Sequence, residues 1–90
     1  MPRIRFVVTG RVQGVAFRAH TQAAARRLGV VGFAENRDDG AVAGEAEGTA
    51  DGVAAFTAWL HRGSPWSRVD AVTTEPMAES RADATFDVRR

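Results

Sequence analysis

IRFVVTGRVQGVAFRAHTQAAARRLG, residues 4 to 29, changes its apolar periodicity partway along, and that change decides how the rest of the chain is read. Over Ile4 to Thr9 the residues Ile4, Phe6 and Val8 fall on one face, which is the period of a strand with one buried side. From Phe17 to Leu28 the period becomes helical. Phe17, Thr21, Ala24 and Leu28 form one stripe, and Gly29 is suited to stop the helix. Between the two lies a segment punctuated by glycine, Gly10 to Ala16, which runs directly into the helix.

Outward from this stretch the same signals recur. Val30 to Asn36 reads as a second strand. Asp38-Asp39-Gly40 is a turn, and Ala41 to Glu47 is the partner strand, with Val42, Gly44 and Ala46 on one face and Glu45 and Glu47 on the other. Thr49 is suited to cap a second helix, with Asp51 in the first turn, where the helix dipole favours a carboxylate. Val53, Phe56 and Leu60 are its apolar stripe, and Gly63-Ser64-Pro65 breaks it. Arg68 to Thr74 is a fourth strand with a weaker pattern, and Ala84 to Val88 a fifth, with Phe86 and Val88 on one face. Trp59 and Trp66 are expected to pack against the helix layer or cover its edge. The order strand–helix–strand–strand–helix–strand is the ferredoxin-like α+β sandwich: an antiparallel sheet with two helices on one face. With no linker, repeat or low-complexity tract, residues 1–90 are expected to form a single domain.

Composition excludes several kinds of chemistry. The 90 residues contain no cysteine, so disulfides, thiolate metal sites and a cysteine nucleophile are ruled out. All twelve basic residues are arginine, which rules out a Walker-type phosphate loop, because that loop needs its lysine. The net charge of +1 gives a weak overall field, and no run of like charges marks a nucleic-acid or membrane surface. Met1 to Arg5 lacks the apolar stretch of a signal peptide, and no run is long and apolar enough to span a membrane. A cytoplasmic monomer is expected.

The segment Gly10 to Arg18, GRVQGVAFR, carries the chemistry. A loop that enters a helix N-terminus presents unpaired backbone N–H groups and the positive end of the dipole. Gly10 and Gly14 let the chain bend closely around a ligand, and Arg18 can reach back with a bidentate guanidinium. These are the parts of an oxyanion site. On residue types alone an ordinary loop and a solvated Arg18 remain the other reading.

GRVQGVAFR resembles the signature of the acylphosphatase family, Gly-x-Val-Gln-Gly-Val-x-Phe-Arg. Gly32-Phe33-Ala34-Glu35-Asn36 followed by Asp39-Gly40-Ala41-Val42 is similar to a second family segment, and Gly63-Ser64-Pro65 through Arg68-Val69 to a third. The similarity runs from about residue 5 to residue 88. The resemblance implies the ferredoxin-like fold with an additional short C-terminal strand, and hydrolysis of acyl phosphates without metal or cofactor. It implies that Arg18 binds the phosphate and that Asn36 orients the attacking water. The backbone N–H groups of Gln13, Gly14, Val15, Ala16, Phe17 and Arg18 would cradle the phosphate oxygens. Phe33 stands where the family usually has tryptophan. Arg37 follows Asn36, where a small or apolar residue is usual, and strand alternation should turn it to the opposite face. Gly48-Thr49 replaces a frequent Gly-Pro.

The chemistry fits so short a residue list. A carboxylate leaving group, with a pKa near 4, needs no general acid. What remains is charge stabilisation on the phosphoryl oxygens and placement of a water in line with the breaking bond. His20 and His61 read as surface residues. Asp38 and Asp39 offer a carboxylate base near Asn36, but a tight hairpin needs the same residues, and the turn is the better reading. Two other functions compete. A non-catalytic anion-binding or regulatory module would share the loop and Arg18 but would not need Asn36. An RNA-binding sheet would need exposed aromatics among basic residues on its central strands; Phe6 points to the core, which disfavours it. The partner is therefore a small-molecule acyl phosphate or inorganic phosphate.

Overall fold

The strand and helix periods translate into the elements β1 (Arg3–Arg11), α1 (Phe17–Arg27), β2 (Val31–Asn36), β3 (Val42–Glu47), α2 (Ala50–Arg62), β4 (Arg68–Met77) and β5 (Phe86–Arg89). The computed structural model describes residues 1–80 and 83–89. The strands form one sheet in the order β4-β1-β3-β2-β5. This is the ferredoxin-like α+β arrangement with an extra strand at one edge.

Alternation places the core. Phe6 and Val8 of β1, Ala34 of β2, and Val42 and Ala46 of β3 are buried on the helix side, against Phe17 and Ala25 of α1 and Phe56 and Leu60 of α2. Phe56 lies at the centre. Its ring is 5.5 Å from Phe6 and 5.6 Å from Phe86. Truncating a buried phenylalanine to alanine costs about 3–5 kcal/mol, so this triad contributes much of the stability of a small core. Trp59 packs on Phe17 at 5.7 Å, as expected of a helix-layer tryptophan. Trp66 does not pack: it sits in the turn after Pro65 and is 77% exposed.

The sheet is not wholly antiparallel. β1 pairs antiparallel with β3 and β4, and β2 antiparallel with β3, but β5 runs parallel to β2. The cause is the connection. β4 and β5 occupy opposite edges; β4 ends at Met77, opposite Arg3, and both Ser80, bonded to Glu47, and Asp83, bonded to Arg3, lie at that same end of the sheet. β5 must therefore start at that end and run opposite to β4, which is the direction of β2. Being short and at an edge, β5 buries Phe86 but leaves Val88 37% exposed, so those two residues do not share the core as the alternation predicts. β4 also extends beyond the expected Thr74, to Met77. As an edge strand it tolerates Pro76.

The crossing is clamped by Arg3. Its guanidinium is buried on the open face of the sheet and meets Glu45 at 2.7 Å, Glu47 at 3.2 Å and Asp83 at 2.8 Å. Glu47 Oε1 also accepts the Ser80 backbone N–H at 2.9 Å, which ties the crossing segment to the end of β3. Burial disfavours the charged guanidinium, but hydrogen bonds to Glu45, Asp83 and Glu47 outweigh it, leaving the Arg3 pKa raised. This cation stays charged wherever the chain is folded.

Gly10 has a different role from the one its motif suggests. It lies inside β1, where the register with β4 shifts between Thr9 and Gly10. A Cβ there would fall on the Arg68 carbonyl oxygen. Glycine at this position lets two strands approach closely; it does not shape the ligand loop, which begins at Val12.

Candidate active site

The loop is fixed at both ends by burial. Val12 is 1% exposed and belongs to the core, and Val15 packs against it. Between and after them φ changes sign from residue to residue. Gly14 has φ 74°, and Ala16 has φ 57° and ψ 24°, the sole non-glycine with positive φ among the described residues, whereas the intervening Val15 is not left-handed. Alternation of right- and left-handed residues turns successive N–H groups to the same side and makes an anion-binding concavity. A Cβ on Gly14 would meet nothing within 4 Å, so its glycine serves the φ angle. Ala16 has no such freedom, and its conformation costs about 1 kcal/mol.

Ala16 is also the N-cap of α1. No side chain caps this helix, and its first turn holds no acidic residue. The first N–H donors and the positive dipole end therefore face outward at the same place as the loop donors. The residues concerned are those expected to cradle the phosphate, Gln13 to Arg18.

Arg18 lies on the flank of α1 that faces β5. Its Nη1 donates to the Arg89 carbonyl oxygen at 2.6 Å, and Gln22, one turn later, donates to the Phe86 carbonyl at 3.0 Å. Arg89 pairs with Glu35 in the parallel register. The Arg18 head is thus held beside the residue that precedes Asn36. The Arg89 guanidinium in turn covers the Phe33 ring at 3.7 Å, so Phe33 helps to seat the strand that holds Arg18.

Asn36 ends β2 on the face shared with Gly32 and Ala34. Its Oδ1 is buried and accepts no hydrogen bond from the protein. A buried carbonyl oxygen left free in this way is an acceptor ready for a ligand or a water. Arg37 leaves the site as alternation requires. It lines the open face of the sheet with Arg5, Phe33 and Glu35, and its Nη2 meets Asp39 at 2.8 Å. Asp39 Oδ1 accepts the Ala41 N–H at 3.1 Å, which supports the turn reading of Asp38-Asp39-Gly40.

Two contributions had no signal in the residue types. One is the Gln13 side chain, whose Nε2 donates to the Arg37 carbonyl at 2.7 Å and the Ala41 carbonyl at 2.9 Å. The motif gave Gln13 only a backbone role. The other is the Arg89 carbonyl that orients Arg18. A cleft of about 530 Å³ lies elsewhere, between the helices at His20, Arg27, Trp59, Arg62 and Ser64. Arg27 and Arg62 occupy last helical turns, where a cation complements the dipole. His20 and His61 are both exposed, and among the described residues no cluster of histidine and carboxylate side chains could hold a metal.

The family model described as acylphosphatase matches residues 4–88. The chain is 48% identical to the acylphosphatase of Halorhodospira halophila over 96% of this chain and 92% of that one. It is 45% identical to that of Anaeromyxobacter dehalogenans, over 97% and 94%. The crystal structure of acylphosphatase from Bacillus subtilis superposes over the whole of both chains with a TM-score of 0.95 at 33% identity. With the uncapped cradle, the tethered arginine and the strand-end asparagine all lying within the matched region, the chain belongs to the acylphosphatase family.

Proposed function

We propose that this acylphosphatase works by direct attack of a water held at Asn36 on a phosphoryl group bound by the N–H groups of Gln13 to Arg18 and by the Arg18 guanidinium. The activity itself, hydrolysis of a carboxyl–phosphate anhydride to carboxylate and inorganic phosphate, follows from the family. The observation that carries the residue roles is the start of α1. A helix end with no side-chain cap and no carboxylate, behind a loop with left-handed Gly14 and Ala16, suits an anion.

The steps need little from the protein. Backbone donors and Arg18 stabilise charge on the three phosphoryl oxygens as the bond to the acyl oxygen lengthens. The Asn36 amide accepts a hydrogen bond from the water and fixes its direction, and a phosphate oxygen takes the proton. The carboxylate departs without protonation, because it is a weak base. No helix among the described residues is long and apolar enough to cross a membrane. We assign the chain to the cytoplasm as a single-domain monomer.

The test is release of phosphate from benzoyl phosphate in the presence of a chelator. Arg18→Ala should lower the rate on the order of a thousandfold, and Asn36→Ala by a comparable factor, both with an unchanged circular dichroism spectrum. Asn36→Ala turning over like wild type would overturn the water-orienting role. Binding of inorganic phosphate by a wild type that never turns over would instead indicate an anion-binding module.

A further inference from the structure

We propose that the Gln13 side chain is a positioning residue that fixes the phosphate cradle relative to Asn36, and so controls turnover more than phosphate binding. This rests on the reading above and deepens it. Gln13 Nε2 donates to two carbonyl oxygens of the β2–β3 hairpin, Arg37 at 2.7 Å and Ala41 at 2.9 Å. Both partners are acceptors with no N–H to offer, so the amide orientation is dictated by the network.

Neither carbonyl depends on Gln13 for a partner. The Ala41 carbonyl already accepts the Arg37 N–H at 2.8 Å, and the Arg37 carbonyl accepts the Gly40 N–H at 3.2 Å. The hairpin therefore closes by itself. What the two side-chain bonds add is a tie between segments 24 and 28 positions apart in the chain. One end of the tie is the residue before Gly14, where the cradle begins. The other is the residue after Asn36. On its far side Asn36 follows Glu35, which pairs with Arg89, the residue that holds Arg18. Asn36 thus sits between two ties, one to the entry of the cradle and one to its arginine.

The cost of loosening the first tie falls on alignment. In-line attack needs the water and the phosphorus within near-attack distance, and a displacement of about 1 Å costs roughly a hundredfold in rate. The N–H groups that hold the phosphate belong to the loop itself and do not move with the hairpin. The side chain must be neutral and must give two N–H bonds from one atom. Asparagine is too short, and ionised glutamate turns an acceptor toward two acceptors.

The experiment compares wild type, Gln13→Met and Gln13→Glu on benzoyl phosphate from pH 4 to 8, with inorganic phosphate as competitive inhibitor. Gln13→Met should lose about 10- to 100-fold in kcat, while the phosphate inhibition constant changes by no more than about twofold. Gln13→Glu should be equally slow at pH 8. It should recover relative to wild type as pH falls below about 5, where the protonated carboxyl can donate to one of the carbonyls. That recovery is a change with pH in Gln13→Glu referred to wild type at each pH, so it is independent of any folding cost in Gln13→Met. Equal losses of kcat and phosphate affinity would make Gln13 part of the cradle and overturn the proposal, as would an unchanged kcat or a Gln13→Glu ratio flat with pH. A wild type inert toward benzoyl phosphate overturns the catalytic reading and this inference with it. An active wild type with an equally active Gln13→Met overturns this inference alone.

Discussion

The two helices of this protein begin in opposite ways. α2 starts at Thr49 with an extended backbone, φ −62° and ψ 158°; its side chain accepts the Gly52 N–H at 3.0 Å, and Asp51 stands in the first turn. α1 starts at Ala16 in the left-handed region, with no side-chain cap and an arginine in its first turn. At their other ends the helices are alike, each with basic residues in the last turn: Arg26 and Arg27 in α1, His61 and Arg62 in α2. The chain follows the dipole rules at three of four helix ends and breaks them at one. The capped helix uses its end donors on itself. The bare one leaves them without a side-chain partner, as the proposed phosphate site requires, and loses about 1 kcal/mol of capping, with a similar strain at Ala16.

Giving α1 a carboxylate should break this contrast most severely. Ala16→Asp places a negative charge at the mouth of the cradle, where repulsion of a phosphoryl group amounts to about 3 kcal/mol. We expect kcat/KM for benzoyl phosphate to fall at least a hundredfold, with phosphate inhibition weakened in parallel and the melting temperature held or raised. Full activity in that variant would mean that the phosphate does not use this helix end. The reverse change, Thr49→Ala, should cost about 1 kcal/mol in urea unfolding and leave kcat unchanged; a matching loss of activity would show that α2 is coupled to the site. The smallest effect belongs to Asp51→Asn, about 0.5 kcal/mol, and it should vanish at high salt, because an exposed charge at a helix end is screened.

How much of this was legible from the residues varied by element. The period change between Thr9 and Phe17 located β1 and α1, and the Thr49 cap and the Asp38-Asp39-Gly40 turn stand where local chemistry put them. These features are written in neighbouring residues. The direction of β5 is not, because it follows from the end of the sheet at which β4 finishes and Ser80 and Asp83 are held. Gly10 was misread because a glycine that bends around a ligand and one that admits a neighbouring strand look the same in a sequence. The Arg3 clamp left only a faint trace, opposite charges on the outward faces of β1 and β3, and its partner Asp83 lies far along the chain. In the proposed site, Arg18 and Asn36 were assigned through the resemblance of their motifs; spacing alone left them ambiguous. Gln13 was assigned to the cradle by its backbone, and its side-chain role emerged only from the fold. The Arg89 carbonyl could not have been found, since any residue type carries one.

That carbonyl also sets an order of events. Arg18 and Arg89 are 71 positions apart, and closing so long a loop comes at an entropic cost that local helices and hairpins do not meet. During synthesis the cradle, both helices and the hairpin that carries Asn36 leave the ribosome well before residue 89. Arg18, to which we assign phosphate binding, lacks this anchor until then. On that assignment the Arg18 anchor is among the last contacts this domain can make, because it waits for β5.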